Sequence, residues 1–254
     1  ACAEWTLRRF FPRVPNGIAT SPGSRAPLPY RPDPELGHVH APHFDGFFAH
    51  PEYDRPHLRT NGDGFRGEEW PAELAPGERR ILVLGDSTTV GFGLEEDATI
   101  PARLAAELAG GTRPVRVFNA GVAAYGPCHE EKLLARLAPR LQPAIVVVIV
   151  YDGNDVDDCA TFASQPSIAP FALEPVRSLF DRAYWQRYSV LYHRLETELP
   201  FARVDPEHAF GDLLLQTRVA PSPAVQDAFA RLERALAAID ARCRALDAHC
   251  LCVR

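Results

Sequence analysis

Short apolar runs separated by polar loops recur along the chain after residue 78, and their lengths predict strands. Residues 80–84, 115–118 and 144–150 form three such runs, and residues 251–253 begin a fourth. The run at 144–150 is apolar at every position, as in a central parallel strand that has helices on both faces. The pattern therefore predicts a parallel sheet.

Between these runs, apolar residues recur at the spacing of α-helices. Helices are predicted at 97–108, 128–141, 178–199 and 223–249. Strands and helices thus alternate, which predicts an α/β fold in which helices cover both faces of the sheet. We expect a three-layer α/β/α sandwich with a parallel, flavodoxin-like sheet.

Proline is frequent before residue 79, where it disfavours helices and central strands. Residues 12–34 alone contain seven prolines. Residues 1–78 are therefore predicted to form an irregular Pro-rich N-terminal arm, and residues 79–254 to form the α/β domain. The histidines of the arm match no compact metal site, and we interpret them as loop residues: His38, His40, His43, His50 and His57.

Charge and cysteine spacing narrow the classes of partner. The chain has 254 residues, a net charge of −6 and no dense cluster of Lys and Arg, so nucleic acid is not an expected partner. The six cysteines have no CxxC spacing, which argues against a zinc site, and we predict neither a metal nor another cofactor. Cys250 and Cys252 alternate as in a strand, and we interpret both as core residues.

The beginning of the chain suggests a location. The sequence contains no methionine, and residues 7–12 would suit the exit from an apolar anchor or signal segment. We therefore expect a membrane anchor or signal segment upstream of residue 1. This favours a periplasmic, membrane-anchored or secreted protein over a cytoplasmic one.

Three small polar motifs follow the first three predicted strands. Ser87 follows the first strand, Gly121 the second and Asn154 the third. The carboxyl ends of parallel strands lie at one edge of a sheet, and ligands bind at that edge. We therefore expect these three residues to converge on one site.

These residue types fit the cleavage of an acyl ester. The hydroxyl of Ser87, on a turn between a strand and a helix, is placed to attack a carbonyl carbon. Three candidate donors for the resulting oxyanion are the N–H of Ser87, the N–H of Gly121 and the side-chain amide of Asn154. Each residue also has a purely structural interpretation, as a helix N-cap, a tight turn and an Asx turn respectively. Their joint order favours the chemical interpretation.

The three motifs, in this order and each behind a predicted strand, resemble the blocks of the SGNH hydrolase family, also called GDSL esterases and lipases. Residues 85–87 match the first block, residues 119–121 the glycine block and residues 153–155 the asparagine block. Residues 60–67 resemble a segment that precedes the catalytic domain in bacterial members. The resemblance implies the α/β/α fold and a serine esterase activity at the three residues named above.

The last block of the family, Asp-x-x-His, supplies the general base and the carboxylate that orients it. Asp205 and His208 fit these letters. They precede the predicted long helix and fourth strand, however, whereas the block of the family follows the fifth strand. We therefore expect the chain to be C-terminally incomplete, with the base beyond Arg254, and we retain His208 with Asp205 as the alternative.

The combined prediction is a serine esterase that hydrolyses acyl esters, acetyl esters included, of a carbohydrate or lipid through an acyl-enzyme on Ser87. Two alternatives stay open: an O-acyltransferase that uses the same site, and a non-catalytic binding module without a functional base. Asp86 is expected to brace the turn rather than to react. The acidic residues around Asn154 are interpreted as a solvated loop rather than a metal site: Asp152, Asp155, Asp157 and Asp158.

Overall fold

The computed structural model describes residues 17–26, 28–49, 56–162 and 223–254. The predicted helix at 178–199 and the candidate base pair of Asp205 and His208 lie outside these residues. The predictions for the arm, for the sheet and for its flanking helices fall largely within them.

The described part of the arm contains five short strands, which corrects the prediction of an irregular segment. They are β1 (Gly17–Thr20), β2 (Tyr30–Asp33), β3 (Gly37–His40), β4 (Asp45–Ala49) and β5 (His57–Arg59). β1, β4 and β5 form one antiparallel sheet, and β2 pairs with β3 in another. Proline is compatible with these strands because the second sheet has only two members, so that one side of β2, which contains Pro32, needs no N–H donor.

The central sheet has four parallel strands. They are β6 (Arg79–Leu84), β7 (Val115–Asn119), β8 (Ile145–Ile149) and β9 (His249–Val253), in the spatial order β7-β6-β8-β9. Each pair of neighbouring strands is parallel, and β6 lies between β7 and β8. This order is the flavodoxin-like arrangement that the alternation of strands and helices predicts.

Five described helices accompany the central sheet. They are α1 (Ser87–Val90), α2 (Ile100–Leu108), α3 (Pro127–Leu141), α4 (Asp155–Phe162) and α5 (Pro223–Ala245). The sequence predicts α2 as one helix from residue 97, but a 3-10 turn at Glu96–Ala98 precedes it. The helix begins after Thr99 because the hydroxyl of Thr99 accepts the N–H of Ala102 and serves as its N-cap.

The two faces of the sheet are covered by different helices, as in a three-layer sandwich. In β6, Leu82 and Leu84 join a buried cluster that includes residues of α3 and α5, whereas Ile81 and Val83 join a cluster on the other face. Leu104 of α2 packs against that second cluster. The alternation follows from the two-residue period of a strand, and it confirms the α/β/α fold.

The arm shares the core of the α/β domain. Phe44, Phe48 and Leu58 are buried in one cluster with Val90 of α1, and Leu36 lies in the main cluster beneath the sheet. Hydrophobic residues of the arm thus pack against the helix that begins at the candidate nucleophile. The division into two domains at residue 78 stays a prediction.

A disulfide between Cys128 and Cys159 joins α3 to α4, and the sequence analysis did not anticipate it. The two cysteines are separated by 31 residues, so their spacing carries no local signal. The interpretation of Cys250 and Cys252 as core residues is correct only in part. Cys250 packs partly against the main core, whereas Cys252 on the outermost described strand is exposed. No helix in the described ranges is both long and apolar enough to cross a membrane.

The disulfide makes a testable contribution to stability. Replacing Cys128 and Cys159 together by serine is expected to lower the free energy of unfolding by about 2–4 kcal/mol, because the unfolded chain loses a covalent constraint. Urea denaturation under oxidising conditions measures this change. The Cys252→Ser variant is the matched control, since it removes an exposed thiol without a bridge. Equal stability of the double variant and the control would contradict the assignment.

Candidate active site

The turn after β6 presents Ser87 at the first position of α1. Asp86 is the N-cap of this helix, and its Oδ1 accepts the N–H of Thr88 at 2.7 Å. The Asp86 side chain is buried, while Ser87 is half-buried and its hydroxyl lies 3.5 Å from Asp86 Oδ2. Asp86 therefore braces the turn, as predicted. Ser87 follows it at the C-terminal end of β6, at the edge of the sheet.

Glycine is required at two positions around this turn because there is no room for a side chain. A Cβ atom on Gly85 would overlap the hydroxyl oxygen of Thr89. A Cβ atom on Gly121 would lie 2.6 Å from the backbone nitrogen of Val90 and 2.8 Å from Cβ of Thr89. The glycine motif after β7 thus packs directly against the helix that begins at Ser87, and the first two predicted motifs come together.

The N–H of Gly121 is already engaged in this structure. It donates a hydrogen bond of 3.0 Å to Oδ1 of Asn119, two residues earlier. The sequence predicts this N–H as a donor to the oxyanion, and the internal acceptor was not predicted. An oxyanion therefore has to share this N–H with Asn119 or displace the Asn119 side chain.

Asn154 lies just before α4, on the loop that follows β8. Its Nδ2 donates to Oδ2 of Asp158 at 2.8 Å, and its Oδ1 is buried without a donor among the described residues. A side-chain amide carries two hydrogens on nitrogen, and the bond to Asp158 uses one of them. The other hydrogen is the one that remains for a ligand.

The acidic residues around Asn154 are partly buried, which corrects their interpretation as a solvated loop. Asp155 is fully buried at the start of α4, and its Oδ2 accepts the N–H of Tyr151 at 2.8 Å. Asp152 is exposed and pairs with Arg254. The local sequence looks like a polar loop, but acidic residues also suit the first turn of a helix, where the helix dipole favours negative charge.

Burial and mutual repulsion raise the proton affinity of these carboxyl groups. Burial raises the pKa of Asp155 to about 8, and Asp86 and Asp158 add to the effect while the hydrogen bond from Tyr151 opposes it. Burial also raises the pKa of Asp158 to about 7, with a further contribution from Asp86. The pKa of Glu130 on α3 is raised well above its usual value by burial and then by Asp155 and Asp86. Asp86 of the serine motif thus contributes to the raised pKa of Asp155 and Asp158, in and beside the asparagine motif.

Arg66 connects the arm to the C-terminal end of α1, the helix that begins at Ser87. Its guanidinium donates through Nη1 to the carbonyls of Val90 at 2.9 Å and Gly91 at 2.7 Å. Through Nη2 it donates to the carbonyls of His57 and Leu94, both at 2.7 Å. The side chain is only 2% exposed. This role was not predicted, and an arginine within the glycine-rich segment 60–67 is its local signal in the sequence.

Three histidines of the arm lie on strands, which corrects their interpretation as loop residues, whereas His43 lies in an exposed turn as predicted. His38 and His40 lie on β3 and are buried, and His38 Nε2 lies 2.8 Å from the carbonyl oxygen of Ala123, close to the glycine motif. Burial lowers the pKa of His38 and lowers that of His40 to about 3. His57 lies half-buried on β5 and pairs with Asp45 at 3.0 Å.

The candidate base remains a prediction. Within the described ranges, no histidine forms a hydrogen bond with Ser87, whose hydroxyl contacts Asp86. Asp205 and His208 lie outside those ranges. No group of three or more potential metal ligands is found among the described residues.

Comparison with known proteins adds partial similarities. No protein-family profile and no curated protein matches the chain. The solved structures to which it is similar include TesA, at 26% identity over 35% of this chain and 54% of that chain, with a TM-score of 0.29. They also include AlinE4, described as an SGNH-hydrolase family esterase, at 26% identity over 37% and 51%, with a TM-score of 0.30. The psychrotrophic esterase EstA from Pseudoalteromonas sp. is 13% identical over 65% of this chain and 99% of that chain, with a TM-score of 0.27.

The chain spans about half the length of the TesA and AlinE4 structures that it matches. AlinE4 is described as a member of the SGNH hydrolase family, which is the family that the three motifs resemble. The resemblance of this chain to that family depends on the three motifs and on their positions after the strands of the parallel sheet.

The contact between Gly121 and α1 predicts a position-specific cost of adding one methyl group. Gly121→Ala is expected to destabilise the protein by about 1–3 kcal/mol, because the new Cβ collides with backbone and Cβ atoms that cannot rotate away. Gly110→Ala is the matched control, since a Cβ there meets nothing within 4 Å. Urea denaturation of both variants checks the prediction, and an equal cost at the two positions would refute the contact.

The buried carboxyl of Asp155 predicts a pH dependence of stability. Its pKa in the folded protein, about 8, exceeds the ordinary value of 3.8, so the folded state holds the proton more tightly than the unfolded state. The resulting stabilisation is complete below pH 3.8 and is lost as the pH rises through about 8. The free energy of unfolding is therefore expected to fall across this window, and Asp155→Asn should flatten the decrease.

Urea denaturation at a series of pH values measures this effect. One pKa unit corresponds to about 1.4 kcal/mol, so removal of the titrating group should change the slope visibly. Asp227→Asn on α5, an exposed aspartate, provides the control and should leave the slope unchanged. A parallel decrease in the wild type and in Asp155→Asn would show that another group is responsible.

Proposed function

We propose that the chain is a serine ester hydrolase of the SGNH type that forms an acyl-enzyme on Ser87. The observation that carries this proposal is the convergence of the serine and glycine motifs at one edge of a parallel sheet, where Gly121 packs against the helix that begins at Ser87. The third motif follows the adjacent strand β8, and its acidic residues interact with Asp86.

The proposed reaction uses the groups at this edge in sequence. Oγ of Ser87 attacks the carbonyl carbon of an acyl ester while a general base accepts its proton, which forms a tetrahedral intermediate. The negative oxygen of this intermediate accepts hydrogen bonds from the N–H groups of Ser87 and Gly121 and from the amide of Asn154. Collapse of the intermediate expels the alcohol, which takes the proton from the base, and leaves the acyl group on Ser87. Water then attacks the acyl-enzyme while the base accepts its proton, and the base returns this proton to Oγ of Ser87 as the acid leaves.

The proposed substrate is an acyl ester with a small acyl group, such as acetyl, on a carbohydrate or lipid. The proposed base is a histidine oriented by an aspartate, for which Asp205 and His208 are the candidates within the chain. The engagement of Gly121 N–H by Asn119 is compatible with a site that opens when the carbonyl oxygen of the substrate competes for the same donor.

An activity-based label tests the proposal directly. A fluorophosphonate probe applied to the full gene product is expected to modify the peptide that contains Ser87, because only a hydroxyl with a functional base reacts readily with it. Mass spectrometry of the digested protein identifies the modified residue. Ser87→Ala should abolish labelling.

Thr88→Ala is the matched control, since it removes an exposed hydroxyl from the next residue of the same helix and should leave labelling intact. A folded full gene product that is not labelled would favour a non-catalytic binding module. Formation of an acylated sugar when a sugar acceptor is added would instead favour the O-acyltransferase.

A further inference from the structure

The amide of Asn154 is tied to a carboxylate one helical turn further along the chain. Nδ2 of Asn154 donates to Oδ2 of Asp158 at 2.8 Å, while Oδ1 of Asn154 is buried. The backbone repeats this connection, because the N–H of Asp158 donates to the carbonyl of Asn154 at 2.8 Å. Two hydrogen bonds therefore link Asn154 to the first turn of α4.

The hydrogen bond to Asp158 restricts rotation about the last torsion of the Asn154 side chain. The last torsion of an asparagine is broad, so an amide without a partner samples a wide range of orientations. One hydrogen on Nδ2 is directed at Asp158, and because the amide group is planar, the direction of the second hydrogen is then set as well. An oxyanion donor is effective when it is oriented before the charge develops.

Asp158 itself lies on a firmly attached helix. Val156 and Cys159 of α4 pack against Ala228 and Leu232 of α5, and the disulfide of Cys159 joins α4 to α3. This helix therefore has two independent attachments to the rest of the domain.

The N-terminal end of α3 also packs closely against α4. A Cβ on Gly126, the N-cap of α3, would lie 3.3 Å from Cβ of Asp158 and 2.7 Å from the carbonyl oxygen of Asp155. A carboxylate on such a rigid element can hold a neighbouring side chain in one orientation.

We propose that Asp158 is a positioning residue that orients the amide of Asn154 toward the oxyanion of the reaction. The inference rests on the proposed function of Ser87 and Asn154, and it adds a residue that lies outside the three motifs. Asp158 does not contact the substrate in this account, and it acts only through Asn154.

A double-mutant cycle separates this role from a general structural one. Asn154→Ala is expected to lower kcat by about 10²–10³-fold, as for loss of an oxyanion donor. Asp158→Ala should lower kcat by roughly tenfold with KM nearly unchanged, because the donor is present but misoriented. In the Asn154→Ala background, Asp158→Ala should have no further effect, since two residues that act as a unit are not additive.

Two further variants make the cycle specific. Asp158→Asn should restore kcat to within about threefold of wild type, because its carbonyl oxygen accepts the same hydrogen bond. Asp227→Ala breaks an exposed i,i+4 pair with Arg231 on α5 and should leave kcat and KM unchanged. Additive losses in the double variant, or no rescue by Asp158→Asn, would overturn the proposal.

The side-chain amide signals of Asn154 provide a readout that does not depend on turnover. A hydrogen bond to a carboxylate moves the ¹H NMR signal of the bonded amide hydrogen downfield, and Asp158→Ala should move that signal upfield while Asp158→Asn preserves part of the downfield shift. An unchanged signal in Asp158→Ala would overturn the positioning role whether or not the protein hydrolyses esters. If turnover does not depend on Ser87 while the signals respond as expected, the proposed function fails but the contact stands.

Discussion

The buried guanidinium of Arg66 holds the C-terminal end of the helix that begins at Ser87. The helix that starts at Ser87 has only four residues, which is too short to be stable alone. Arg66 donates to the carbonyl of its last residue, Val90, and to that of its C-cap, Gly91, which also accepts the N–H of Leu94. The positive charge also lies at the C-terminal end of the helix, where the helix dipole favours it.

Burial of this charge is compensated because four carbonyl oxygens surround it. Two belong to the C-terminal end of the helix that begins at Ser87, and the others belong to His57 on the arm and Leu94 on the following loop. A buried charge is costly unless it is hydrogen-bonded in this way. The arm is therefore packed into the surroundings of the candidate site, because one side chain joins strand β5 to the helix that begins at Ser87.

The sequence predicts the elements of the central domain well and their distant contacts poorly. The strands were identifiable because they are apolar runs bounded by polar turns, and Ser87, Gly121 and Asn154 follow them in the order that a parallel sheet brings together. The Cys128–Cys159 disulfide and three of the four bonds of Arg66 join segments that are far apart in sequence. No local pattern reports such pairings, since they arise only when the chain is folded.

The burial of the acidic residues illustrates the same limit within a short segment. Residues 152–158 have the composition of a solvated loop, yet Asp155 is buried because α4 packs against α3 and α5. The strands of the arm were not predicted because its many prolines disfavour strands. Proline excludes central strands but not short strands at the edges of two- and three-stranded sheets.

A crystal structure of the full gene product after reaction with a small phosphonate ester distinguishes a catalytic Ser87 from a structural one. If Ser87 is the nucleophile, its Oγ is expected to be bonded to phosphorus, with one phosphonate oxygen within hydrogen-bond distance of Gly121 N and Asn154 Nδ2. The bond between Gly121 N and Asn119 Oδ1 is expected to lengthen in the adduct. A phosphonate attached to another residue, or one on Ser87 whose oxygen contacts neither donor, would contradict the proposed mechanism.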